Sequence, residues 1–155
     1  MTTHKTTCIH KGGMAFDAEI NNHIIRMDAT PAGGGEDSGP TPKPLLLASL
    51  SGCSGMNTIK ILNKMRIIFK DFSVDAEAVL RDEDPRVYTS IKLTYHVTLD
   101  ESNKDKFVKA LDLALEKYCS LYAMLVQVVP ISYEIVYTHS TENSGKESPQ
   151  IHGLN

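Results

Sequence analysis

Residues 45–65 read LLLASLSGCSGMNTIKILNKM, and this stretch decides the fold. It is preceded by helix-start chemistry: Thr41 can cap a helix, and Pro42 and Pro44 suit a first turn, where a missing N–H has no helical partner to lose. Its middle, Ala48 to Gly55, is dominated by Ala, Ser, Gly and Cys. Such a run is costly in an isolated helix but lets another backbone come close. The later half is amphipathic, with Ile59, Leu62 and Met65 on one stripe and Lys60, Asn63 and Lys64 elsewhere. The whole predicts a long, central, buried helix with Cys53 about three turns in.

Working outward, the N-terminal side alternates. Met14, Phe16, Ala18 and Ile20 are followed by Asn21-Asn22, after which Ile25 and Met27 resume the pattern, which predicts a hairpin. Cys8 and Ile9 belong to a further strand set off by Gly12-Gly13. The run TPAGGGEDSGPTP, from Thr30 to Pro42, is rich in glycine, proline and acid and predicts a mobile loop. On the C-terminal side, Val74, Ala76, Ala78 and Leu80 alternate with Asp75, Glu77 and Arg81. A turn at Asp82 to Pro85 leads into a second alternating run, Val87 to Leu99, so a second hairpin is expected. Ser102 and Asp105 have capping-box spacing, and Phe107, Leu111, Ala114 and Tyr118 recur at helical spacing, which delivers Cys119 at a helix end. Pro130 stops an apolar segment, and Ile131, Tyr133, Ile135 and Tyr137 form a last strand. The fold class is therefore α+β, with one domain over residues 1–139 and a polar, flexible tail over 140–155.

Composition narrows the function. A chain of 155 residues, 41% hydrophobic and 23% charged, is the right size and mix for one domain with an ordinary core. A net charge of -3 argues against nucleic acid as a partner. No apolar run approaches the roughly 18 residues of a membrane span, and MTTHKTT lacks a signal-peptide pattern, so a cytoplasmic location without membrane attachment is expected. Cys8, Cys53 and Cys119 are an odd set without C-x-x-C spacing, which speaks against a structural disulfide framework. The histidines give no H-x-x-x-H pair, and Cys8 with His10 is too little for a metal site. Gly52-Cys-Ser-Gly55 matches a G-x-x-G pattern but lies within the apolar helix, and Gly33-Gly34-Gly35 is followed by Glu36 and Asp37, which would repel phosphate. A cover over a thiol site is the better role for that loop.

The order of landmarks resembles the OsmC and organic hydroperoxide resistance family. A glycine-rich loop is followed by T-P-K-x-L-L-L-A-S-L-S-G-C-S-G-M, then by K-Y-C-S-L-Y-A-M-L and V-P-I-S-Y-E-I, and the match spans about residues 4–138. The resemblance implies antiparallel sheets packed on long central helices in a swapped or intertwined homodimer. It further implies a thiol peroxidase that reduces organic hydroperoxides and is reset by a dithiol or dithiol-protein reductant, with no metal or flavin cofactor. On that likeness Cys53 is the peroxidatic and Cys119 the resolving cysteine. Cys8 is structural. The dipole of a helix fades after its first turn, so the charge that activates Cys53 must come from an arginine, and Arg26 is the candidate. Lys43 and Pro44 stand where peroxidase relatives place a glutamate, leaving Glu36 or Asp37 as replacements, and Cys119-Ser-Leu-Tyr stands where Cys-Pro-Val-Ser is usual. The alternative is a relative with weak or no peroxidase activity that binds a small molecule or senses redox state.

Overall fold

The computed structural model describes residues 2–138 and 150–152. It divides into two compact units with the boundary between Leu46 and Leu47. The reason lies in the pairing: the first three strands pair only with one another, and the later four make a separate sheet.

In the N-terminal unit, β1 (Thr7–Gly12), β2 (Ala15–Ile20) and β3 (His23–Met27) form an antiparallel meander. Both turns use residues that tolerate positive φ: Gly12 and Gly13 at 107° and 52°, Asn21 and Asn22 at 48° and 66°. The two-residue turn sets the register of β2 and β3, pairing Ile20 with His23 and, counted outward, Asp17 with Arg26. The loop predicted to be mobile is organised around one carboxylate. Asp28, buried to 3% exposure, accepts from the backbone N–H of Ala29 (2.8 Å), Glu36 (3.1 Å) and Ser38 (3.1 Å) and from the Ser38 hydroxyl (2.8 Å). A short 3-10 turn at Pro31–Gly33 completes it.

The second unit is built on α1 (Pro42–Lys64), whose first residues lie before the boundary. It starts at the expected proline. Its fully buried stripe is Leu50, Ser54, Thr58 and Leu62, at four-residue spacing; of the predicted Ile59, Leu62 and Met65 only Leu62 belongs to it, Ile59 being half-buried and Met65 exposed. Ser54 and Thr58 can be buried because their hydroxyls donate to the carbonyls of Ser51 (3.1 Å) and Ser54 (2.9 Å) within the helix. The other side is not covered: Met56 is 71% exposed. The helix is long and apolar enough, by length and composition alone, to cross a membrane, contrary to the expected absence of such a run. Here its buried stripe joins the protein core. Arg66, at φ 56°, ends it, with the Ile67 N–H donating back to the Leu62 carbonyl at 3.0 Å.

Strands β4 (Phe69–Leu80) and β5 (Tyr88–Leu99) make the expected hairpin, with Ile91, Leu93, Tyr95 and Val97 wholly inward from β5. Helix α2 (Lys104–Leu113) is entered through a 3-10 turn, Glu101–Asn103, and not from a Ser102 capping box. The turn itself supplies the partner, because the Lys104 N–H donates to the Glu101 carbonyl. Phe107, Leu111 and Ala114 are fully buried as their spacing predicts, while Tyr118 is 47% exposed. A π-helical turn, Ala114–Tyr118, leads through Cys119 into α3 (Ser120–Leu125) and then β6 (Ile131–Thr138). Because this crossover is helical it brings β6 back parallel to β5, so the sheet is mixed and not wholly antiparallel. Gln150–His152 form β7, antiparallel to β6, within the segment expected to be a structureless tail; the rest of that segment, residues 140–149 and 153–155, lies outside the described residues.

Candidate active site

Cys53 faces inward from α1, half-buried, one helical turn before Asn57. Cys119 lies at the end of the π-helical turn, just before α3. The π-helical turn inserts an extra residue, closed by the Cys119 N–H on the Ala114 carbonyl at 2.8 Å, and the chain then turns extended at Cys119 (φ -82°, ψ 96°). This points the Cys119 thiol into the core at 1% exposure. Its sulfur lies 3.0 Å from the sulfur of Cys53 and donates to it. A disulfide is about 2.05 Å long, so joining the two needs a shift of about 1 Å.

The surroundings of Cys119 hold its proton. Burial, first, and the hydrogen bond to Cys53, second, push the Cys119 thiol up to about 12, while the Tyr122 N–H, 3.4 Å away, partly opposes this. Cys119 therefore remains a thiol. Tyr95 is fully buried beside both cysteines, and burial raises its hydroxyl. Asn57 completes the site, and its side-chain amide donates to the Cys53 carbonyl (2.9 Å) and the Tyr118 carbonyl (3.3 Å) and lies 3.8 Å from the Cys53 sulfur. Beyond Asn57 opens a cavity of about 210 Å3 walled by Ile61, Met65, Leu113 and Tyr118, with Lys60 and Lys64 also lining it.

Arg26 belongs to the N-terminal unit. Its guanidinium grips Asp17 in a two-point ion pair, Nε on Oδ1 and Nη2 on Oδ2 at 3.1 Å. The hydrogen bond from Arg26 holds the Asp17 carboxyl below its ordinary range and raises the arginine in return. The carboxylate that orients Arg26 is thus Asp17, and not Glu36 or Asp37. Gly39 lies so close that a Cβ there would stand 2.5 Å from the Arg26 carbonyl oxygen and 2.8 Å from its Cγ. Cys8, expected to be structural, is exposed on β1.

Two of these positions follow from sequence spacing. Asp17 follows from counting the hairpin register outward from Asn21-Asn22. Asn57 is four residues after Cys53 and therefore on its face of the helix.

Residues 34–134 match the family model for the OsmC-like protein. The chain is an OsmC-like protein. It is 36% identical over 127 residues to Protein YhfA of Escherichia coli K12, covering 80% of this chain and 92% of that one. The fold of this OsmC-like protein is also that of a hypothetical protein from Aquifex aeolicus VF5, with a TM-score of 0.79 at 23% identity over 91% of this chain and 100% of that one. An organic hydroperoxide resistance protein, OsmC, from Legionella pneumophila shares it at a TM-score of 0.63 and 18% identity, over 87% of this chain and 98% of that one.

Proposed function

We propose that this OsmC-like protein is a thiol-dependent peroxidase acting on organic hydroperoxides in oxidative stress defence. The observation that carries the reading is the thiol pair at 3.0 Å with Cys119 as donor and Cys53 as acceptor. The Cys53 thiolate attacks the terminal peroxide oxygen, the O–O bond breaks, and the alkoxide leaves as an alcohol after taking a proton. Cys53 is then a sulfenic acid. The Cys119 sulfur attacks it, water departs with the hydroxyl oxygen, and a Cys53–Cys119 disulfide remains. A dithiol or dithiol protein returns the pair to thiols by giving up two electrons and two protons.

Three further observations support the reading. The apolar cavity beside Asn57 suits an organic substrate better than hydrogen peroxide. Arg26, held by Asp17, is the proposed cation for the Cys53 thiolate, and its carboxylate partner is present although Lys43 and Pro44 are not acidic. Exposed apolar residues on and just after α1, Met56 at 71% and Ile68 at 78%, favour a homodimer that covers them. A cytoplasmic location fits a dithiol that must be kept reduced.

The test is titration of free thiols with cumene hydroperoxide. Two thiols per chain should disappear into an intramolecular disulfide, more slowly with hydrogen peroxide, and Cys53→Ser should abolish peroxide consumption. Survival of both thiols in excess hydroperoxide would leave the second reading, a binding or redox-sensing module, which Cys119-Ser-Leu-Tyr in place of Cys-Pro-Val-Ser favours.

A further inference from the structure

The cysteines come from segments far apart in sequence, and one side chain outside the thiol pair touches both segments. Asn57 donates to the carbonyl of Cys53 at 2.9 Å and to the carbonyl of Tyr118, the residue before Cys119, at 3.3 Å. Both partners are acceptors, so the amide nitrogen, with its two N–H groups, must be the atom that faces them. The Tyr118 carbonyl is available because the π-helical turn ends there and the chain turns extended at Cys119. The same nitrogen lies 3.8 Å from the Cys53 sulfur.

We propose that Asn57 is a positioning residue that sets the dithiol–disulfide equilibrium of Cys53 and Cys119 by clamping their two segments through one amide. The inference rests on the proposed thiol chemistry and goes beyond it by assigning a residue outside the pair. Two thiols held near contact distance close with a high effective concentration, because the ordering of the segments is already done in the folded protein. Without the clamp, the Tyr118–Cys119 turn is free to relax away from α1, and closing the disulfide must restore it. The reduced pair is then favoured relative to the disulfide.

The experiment is redox equilibration of the full-length protein in glutathione buffers, read by counting free thiols in wild type, Asn57→Ala and Asn57→Asp. In this exchange glutathione disulfide accepts two electrons and two protons from Cys53 and Cys119 and becomes two glutathiones. Loss of a hydrogen bond of ordinary strength predicts an equilibrium constant for disulfide formation lower by about fivefold in both variants. Asn57→Asp is nearly isosteric and keeps the packing, so it answers the question even if Asn57→Ala folds poorly. Equal constants in wild type and Asn57→Asp would overturn the role of Asn57 while leaving the thiol chemistry standing. A wild-type protein that forms no intramolecular disulfide would overturn the thiol chemistry and this role with it.

Discussion

The two units are held together by different physics. Among the described residues of the N-terminal unit, those buried are Asp17, Asp28 and one small apolar side chain, Ala18, whereas the second unit buries a continuous apolar cluster that runs from Leu50 to Ile135. A three-stranded sheet with so little apolar burial has a weak hydrophobic term. Its order comes from carboxylates satisfied by many donors: Asp28 takes four hydrogen bonds and Asp17 takes the Arg26 fork. The thiol pair sits in the opposite environment, where burial keeps a proton on Cys119. One unit thus uses ionised groups as structural pins, and the other uses apolar burial to keep a thiol neutral.

The comparison can be broken most forcefully in the core. Phe107 is fully buried and stacks edge-on with Phe72 and Tyr137, so Phe107→Ala should cost about 3–5 kcal/mol in denaturant titration and expose Cys119 to thiol reagents. Unchanged Cys119 reactivity in that variant would mean that burial in this core does not shield the thiol. Next in size is the loop around Asp28. Asp28→Ala leaves three backbone N–H groups and the Ser38 hydroxyl without that acceptor, and limited proteolysis should then cut between Thr30 and Pro40 much faster than in wild type. Equal cutting would show that the turn residues alone hold the loop.

The two environments also predict opposite pH limits. Hydrogen bonds from Ser38, first of all, hold the Asp28 carboxyl below its reference value of 3.8. A lowered folded value means that stability is fully present above about pH 4 and is lost as pH falls through the folded value. For Cys119 the folded value is raised from 9.0 to about 12, so its contribution is present below pH 9 and is lost as pH rises toward 12. Unfolding followed from pH 3 to 11 should show Asp28→Asn flattening only the acid limb and Cys119→Ala only the alkaline one. The smallest expected effect is at Gly55, where a Cβ would meet Val74 and Phe72 at 3.4 and 3.5 Å, which is ordinary contact. Gly55→Ala should raise stability by about 1 kcal/mol through helix propensity. A loss would show that this helix face needs the closer approach anticipated from its small residues.

The elements legible in the sequence were those whose signal is local. Alternation gave β2, β3, β4 and β5, the Asn21-Asn22 turn gave a register, and Pro42 gave the start of α1. The buried stripe of α1 was misplaced because Ser54 and Thr58 count as polar in a periodicity, although their hydroxyls are satisfied inside the helix. The parallel pairing of β5 with β6 and the addition of β7 were illegible because both depend on long-range pairing. The loop was read as mobile since its composition conceals a single organising carboxylate, Asp28, that lies just outside it.

By itself, the sequence determined the α+β element order, the helix that carries Cys53, the helix end that carries Cys119 and the family to which the chain belongs, because periodicity, turn residues and motif context are properties of neighbouring residues. Only the tertiary structure decided that the sulfurs stand 3.0 Å apart with the proton on Cys119, that Asp17 grips Arg26, and that Asn57 spans the two cysteine segments. Distance, burial and donor geometry between residues remote in sequence exist only once the core has closed, and burial is what raises the Cys119 thiol.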